Sequence, residues 1–159
     1  MEVVDEDGMR ELLVALGERL GAAAVIEWDD AGWLVTLPPD TAVELSHDAQ
    51  RGVLVMAANL GLPAPGTEQA AYRLLLHVSA LRHEAGGLRM GLEPADDSVV
   101  QLEEVAVAGL DAAALGVRMT RFAARARSAR ERLAIGISAA PAPSDAASLV
   151  QSHGEWVRA

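Results

Sequence analysis

The sequence contains no cysteine and no lysine, and these two absences exclude several kinds of site. Without a thiol the protein has no disulfide, no thiolate zinc site and no cysteine nucleophile. Without lysine it cannot supply the phosphate-binding lysine of a P-loop or a kinase, and it cannot form a Schiff base. Serine also lacks a Gly-x-Ser-x-Gly context, because the stretch GISAA has no closing glycine.

Long apolar runs and a basic N-terminus are missing as well. Hydrophobic residues make up 51% of the chain, yet no run approaches the roughly 18 apolar residues of a membrane span. The first residues, MEVVDEDGMRELL, are acidic where a signal peptide would be basic. We therefore expect a soluble, cytoplasmic protein without membrane insertion.

The charge balance argues against nucleic acid as a partner. The formal net charge is −10 and the pI is near 4.7, whereas phosphate neutralisation needs a basic surface. All 13 basic residues are arginine, and six of them lie between Arg118 and Arg132. A solvated helix face explains this cluster better than contact with RNA or lipid.

One stretch, LRHEAGGLRMGLEP at residues 81–94, begins like the HExxH helix of zinc hydrolases. Gly87 occupies the position of the second histidine ligand. His77 and His83 are six residues apart and lie on different helix faces, whereas a helical metal pair needs a spacing of three or four. We predict no catalytic residue, no metal site, no cofactor and no enzymatic activity.

Hydrophobic periodicity divides the chain into a helix, a strand run, a helix, a hairpin and a last helix. The spacing predicts an amphipathic helix over residues 6–20, ended by Gly21. Residues 24–60 contain the segments AVIEW, WLVTL, TAVELSH and VLVMAANLGLP, for which a three-strand meander is the most economical arrangement. Trp33, Val35 and Leu37 should share one face.

A second helix is predicted from Thr67, a possible N-cap, to Glu84, with Gly86-Gly87 as its stop. LRMGLEP and SVVQLEEV then form a hairpin. Asp111 is the expected N-cap of the third helix, which runs to about Leu133. These elements predict an α+β fold with one domain over residues 1–136 and a flexible Pro/Ala/Ser-rich tail over residues 137–159.

Apolar surface is the positive signal for function. Val25, Trp28, Trp33 and the leucine stripe of the first helix compete for a limited core. Some of these side chains should therefore be exposed, and exposed apolar patches usually mark a partner-binding surface.

The order of these segments resembles the class I chaperones of bacterial type III secretion, small acidic dimers that hold the N-terminal segment of a secreted effector. The likeness covers roughly residues 9–133. It is carried by LLVALGERLG, DDAGWLVTL, LVMAANLGLPAPG, YRLLLHVSALRHEAGGLRMGLEPADDSVVQLEEV and LDAAALGVRMTRFAARARSARERL.

The resemblance implies about three helices around a bent antiparallel sheet, and a homodimer. The dimer interface would come from the second helix and the strand after it: Tyr72, Leu75, Leu76, Ser79, Leu88 and Met90. The effector segment would lie extended in grooves of the first helix and the sheet, on Leu13, Leu16, Val25, Trp28, Trp33, Val35, Val43 and Leu45. No nucleotide or other cofactor is implied for holding the effector.

A second hypothesis is a regulatory or structural interaction domain of the same fold. It would bind a folded partner, such as the secretion ATPase or a regulator, through its acidic face or its arginine-rich helix. We expect Trp33→Glu to separate the two, because only the chaperone should lose partner binding while the dimer survives.

Overall fold

A computed structural model describes residues 6–29, 31–81 and 86–136 of the chain. Its elements are α1 (Glu6–Leu20), β1 (Ala24–Asp29), β2 (Gly32–Leu37), β3 (Thr41–Asp48), β4 (Val53–Gly61), α2 (Glu68–Ala80), β5 (Arg89–Leu92), β6 (Val99–Ala106) and α3 (Ala112–Ile135). This order of a helix, a meander, a helix, a hairpin and a helix confirms the predicted α+β fold.

The strands form one six-stranded antiparallel sheet in the order β1-β2-β3-β4-β6-β5. The meander has four strands, so the predicted count of three was wrong. Each of the four alternating segments is a separate strand, because a tight turn follows β1, the Pro38-Pro39 pair follows β2 and a turn at Asp48–Gly52 follows β3. Within the described chain, β1 and β5 are the two end strands.

The described residues pack as two compact units. The first contains residues 6–58 and 103–127, and the second contains residues 59–102 and 128–136. The predicted single domain over residues 1–136 stays a prediction, and the tail at 137–159 lies outside the described residues.

Helix α1 has the predicted bounds and the predicted buried stripe. Met9, Leu13 and Leu16 on this stripe are completely or almost completely buried. The helix ends because Gly21 takes the left-handed conformation at a φ of 58°. The Ala22 N–H then donates to the Gly17 carbonyl at 3.0 Å, which satisfies a carbonyl at the helix end.

Strands β2 and β3 bury one face. In their antiparallel register Trp33 lies opposite Leu45 and Val35 lies opposite Val43, and all four side chains are buried. Directly opposed residues point to the same side of a sheet, so these pairs form one continuous apolar layer. In β3 every buried position alternates with an exposed one until Asp48.

Two contacts fasten α1 to β1. A Cβ at Gly17 would lie 2.6 Å from Cγ2 of Val25, so the helix approaches the strand as closely as glycine allows. Toward the other end, Arg10 donates through Nε and Nη2 to both carboxylate oxygens of Glu27, at 2.9 and 2.7 Å. The helix therefore lies along the strand on the side of Val25 and Glu27.

Helix α3 begins at the predicted cap, because the Asp111 carboxylate accepts a hydrogen bond from the Ala114 N–H at 2.7 Å. Its buried stripe includes Leu115, Met119 and Phe122. On β6, the buried Glu103 carboxylate lies 3.6 Å from Nη1 of Arg118 and 3.9 Å from Nη1 of Arg125. Burial raises the pKa of Glu103, and the nearby arginines oppose that rise.

In the second unit, α2 ends at Ala80, four residues before the predicted end. Residues 82–85, which include the histidine of the HExxH-like stretch, lie outside the described residues. Thr67 stands at the N-cap position but does not cap with its side chain. Its hydroxyl donates to the Ala64 carbonyl at 2.7 Å instead. Gly86 and Gly87 are left-handed, but α2 ends before them, so the prediction that they stop this helix was wrong.

The α1–β1 approach yields a matched pair of helical glycine variants. Gly17→Ala should destabilise the protein, because Val25 is β-branched and cannot move aside freely; overpacking of this kind costs about 1–3 kcal/mol before any gain in helix propensity. Gly116→Ala should be neutral or stabilising, since its new Cβ meets only side chains at 3.6 Å or more. Chemical denaturation measures both, and equal stabilities would contradict the packing described.

The Glu103 cluster yields a pH-dependent prediction. A raised native pKa means that the folded state binds the proton more tightly than the unfolded state, so this contribution to stability is present at low pH and is lost as pH rises. At neutral pH, Glu103→Gln should therefore be at least as stable as the wild type. Acidification should favour the wild type relative to the variant.

Denaturation curves of the two proteins over a pH series measure this difference. A variant that is less stable at neutral pH, with a gap that closes on acidification, would show that the arginines lower the pKa of Glu103 instead.

Candidate partner-binding site

Strand β1 carries exposed apolar side chains at the end of the sheet. Ile26 is 53% exposed and Trp28 is 50% exposed. All four residues from Ile26 to Asp29 are exposed, and the strand has a described neighbour only on its β2 side. An end strand of this kind offers unpaired N–H and C=O groups to another extended chain.

The cross-strand register assigns each β1 side chain to one side of the sheet. Val25 lies opposite the buried Val35 and Glu27 lies opposite the buried Trp33, so both point to the side that α1 covers. Ile26 lies opposite Leu34 and points to the other side. We call the two sides of β1 the helix side and the open side.

A glycine in the next strand positions the exposed tryptophan. The register shifts between Glu27 and Asp29, which places a bulge at Trp28. A Cβ on Gly32 would lie 2.6 Å from Cε2 of Trp28, so the indole lies directly against the backbone there. Asp29 fixes the turn between these two residues by accepting from the Ala31 N–H at 3.0 Å. The half-exposed indole of Trp28 is thus held against the backbone of Gly32.

Helix α1 adds one more apolar side chain next to the same edge. Arg10 and Gly17 face β1 through the contacts described above, and Val14 lies between them along the helix. Val14 is exposed. We call the exposed residues of β1, Ile26 to Asp29, together with Val14, the edge-strand surface.

The Arg10–Glu27 pair is the main electrostatic contact at this surface. The Arg10 hydrogen bonds hold the pKa of Glu27 below its usual range, and the same pair raises the pKa of Arg10. Arg10 also binds Asp7 at 2.8 Å. Both carboxylates therefore already engage this arginine.

Most of the predicted effector-binding residues lie in the core of the free chain. Val25 is half-buried, Trp28 is exposed, and the other six are buried: Leu13, Leu16, Trp33, Val35, Val43 and Leu45. Two of these six, Trp33 and Val35, lie directly opposite residues of β1. Ile26 and Val14 were not among the predicted residues, although strict alternation in AVIEW places Ile26 and Trp28 on one side.

The burial of Trp33 means that Trp33→Glu does not separate the two functional hypotheses. Its side chain is 1% exposed, and its indole N–H has no hydrogen-bond partner of good geometry among the described residues. Trp33→Glu would place a charge in the core, so it would measure stability rather than partner binding.

The predicted dimer residues differ in their burial within the single chain. Leu75 and Leu88 are buried in the single chain, whereas Tyr72 and Met90 are half-buried. Ser79 joins α2 to β5, because its hydroxyl donates to the Met90 carbonyl at 2.8 Å and accepts from the Met90 N–H at 3.0 Å. Leu76 is 71% exposed.

The described residues contain no group of three or more His, Cys, Asp or Glu side chains that could hold a metal ion. Among the same residues, no helix is long and apolar enough to cross a membrane. The edge-strand surface combines backbone hydrogen-bonding groups with apolar side chains, and this combination suits the binding of an extended polypeptide.

Neither a protein-family model nor a curated protein sequence matches the chain. Solved structures do match it. The ExsC–ExsE complex matches with a TM-score of 0.68 and 16% identity, over 84% of this chain and 97% of that one. The HopA1–SchA chaperone–effector complex matches with a TM-score of 0.64 and 18% identity, over 78% of this chain and 94% of that one.

The Yersinia pestis type III secretion chaperone SycH, in complex with a stable fragment of YscM2, gives a TM-score of 0.56 at 19% identity. That match covers 74% of this chain and 96% of the matched chain. The chain therefore has a fold like that of type III secretion chaperones.

Proposed function

We propose that this protein is a cytoplasmic, non-catalytic chaperone of type III secretion. It binds the N-terminal segment of one or more effector proteins in extended form, keeps that segment soluble, and helps to deliver it to the secretion apparatus. The observation that carries this proposal is the open edge of β1, with Ile26 and Trp28 exposed beside it, on a fold like that of chaperones solved in complex with effectors.

The edge-strand surface accounts for how an unfolded client would be held. A client strand that pairs with β1 satisfies its own backbone groups and those of the edge at the same time. Its alternate side chains then contact Ile26 and Trp28 on the open side, and Val14 on the helix side. The client orders only where it contacts the chaperone, so it stays in a non-globular state suited to export.

A homodimer is the second part of the proposal. Leu76 projects from α2 as one of the most exposed large apolar side chains among the described residues. Tyr72 lies one helical turn before Leu76, and Met90 is hydrogen-bonded to Ser79 of the same helix. Both side chains are half-buried. A second copy of the chain would cover this part of α2 and shield Leu76 from water.

Capture from a lysate of the source cells tests whether the protein binds an extended client. The retained complex is then subjected to limited proteolysis and mass spectrometry. We expect a protected stretch of roughly 50 to 100 residues near the N-terminus of the partner, the length that a wrapped segment needs. Retention of only a folded enzyme or regulator, without a protected segment, would favour the interaction domain instead.

Ile26→Asp tests the binding surface in the same experiment. The fold should tolerate an aspartate at this exposed position, whereas a charge beside the client strand should reduce affinity by about tenfold or more. Leu62→Asp is the matched control, because Leu62 is equally exposed and lies outside the edge-strand surface. Equal loss of client in both variants would contradict the assigned surface.

Leu76→Asp tests the dimer. Size-exclusion chromatography with light scattering should give the mass of a dimer for the wild type and of a monomer for the variant. Val117→Asp, at an exposed position of α3, should remain a dimer. A variant at Leu76 with an unchanged mass would place the dimer interface elsewhere.

A further inference from the structure

The net charge of the protein is confined to its N-terminal part. Residues 1–48 contain twelve acidic and two basic side chains, whereas residues 49–159 contain eleven of each. The whole formal charge of −10 therefore belongs to the segment that includes α1, β1, β2 and β3. A charge of one sign placed around a binding surface attracts a ligand of the opposite sign.

Part of this charge lies on the exposed side of α1. Asp7, Glu11 and Glu18 recur with Val14 at spacings of four, three and four, so these four residues form one stripe along the helix. All four are exposed. We call them the acidic stripe.

The contacts of α1 show where the acidic stripe lies relative to β1. Leu16 and Leu20 approach Gly116 of α3 on one side of the helix, whereas Arg10 and Gly17 contact β1 on the other. An α-helix turns by 100° per residue. Going around the helix from Arg10 in the direction away from α3, one meets first Val14 and then the three carboxylates, Asp7, Glu18 and Glu11. The stripe therefore lies beside the free edge of β1.

Charge and apolarity are thus separated across the same edge. Ile26 and Trp28 lie on the open side, where Asp29 ends β1 and Glu44 of β3 lies two strands away in the row of Ile26. On the helix side, Arg10 is the cation that contacts β1, and it already binds Asp7 and Glu27. An added strand would meet apolar side chains on one side and carboxylates on the other.

We infer that the segment bound by the edge-strand surface is an alternating, cationic strand. Its apolar side chains contact Ile26 and Trp28 on the open side, and its arginine or lysine side chains face the acidic stripe on the helix side. The period of two follows from the geometry of a β-strand, which points successive side chains to opposite faces. This inference rests on the proposed function and adds the chemistry of the client.

Three synthetic peptides of about twelve residues test the inference. Each alternates isoleucine with a second residue, which is arginine, threonine or glutamate, and each is N-methylated along one edge so that it cannot stack with itself. Titration calorimetry with the full chain should show that the arginine peptide binds at least about tenfold more tightly than the glutamate peptide. Raising the salt concentration from about 0.05 to 0.5 M should reduce this preference.

A double variant, Glu11→Gln with Glu18→Gln, tests the acidic stripe itself. It should weaken binding of the arginine peptide by roughly fivefold, because each exposed ion pair contributes little, and it should leave the threonine peptide unaffected. Glu93→Gln with Glu131→Gln makes the same change in net charge outside α1 and should not alter the affinity for the arginine peptide.

The outcomes separate this inference from the proposed function. If the threonine or glutamate peptide binds as tightly as the arginine peptide and Ile26→Asp abolishes that binding, the inference is wrong while strand addition at β1 stands. If no peptide binds, the inference is wrong, and the proposed function is then decided by whether a protected N-terminal client segment is captured. If Ile26→Asp instead dissociates the protein into monomers, a second copy of the chain occupies β1, which also overturns the inference.

Discussion

The packing of α1 against β1 is the constraint on which the candidate site depends. Gly17 lets the helix touch Val25 without a side chain between them, and Arg10 holds the other end through both oxygens of Glu27. The helix is thereby fixed on one face of the last strand of the sheet. That face is where Val25 and Glu27 point. No described strand lies beyond the backbone edge of β1, and Ile26 on the opposite side stays exposed.

The buried side chains of β2 and β3 and the exposed side chains of β1 contribute to the candidate site in different ways. Trp33, Val35 and Leu45 are buried on the helix side of the two strands next to β1. One strand further out, Ile26 lies opposite Leu34 and Trp28 lies over Gly32, and both side chains remain about half exposed. A protein that holds an unfolded segment needs both, since a preorganised edge loses little entropy when the client orders on it.

Much of the fold was predictable because it depends on local signals. The end of α1 at Gly21, the cap at Asp111 and the left-handed Gly86 and Gly87 follow from short-range chemistry that the sequence displays. The count of strands and the exposure of Ile26 were not predictable in this way. Alternation shows that Val25 and Ile26 point to opposite sides, but only the packed position of α1 decides which of those sides is covered.

The central claim is that β1 is the edge to which a client strand adds. Hydrogen–deuterium exchange of the full chain, alone and with its captured N-terminal client segment, tests this most directly. We predict that the outward-facing amides of residues 24–29 exchange quickly in the free protein and slow markedly in the complex, with no comparable change in β5 at the other end of the sheet. Protection that appears at β5 and α2 while β1 stays unchanged would contradict the account.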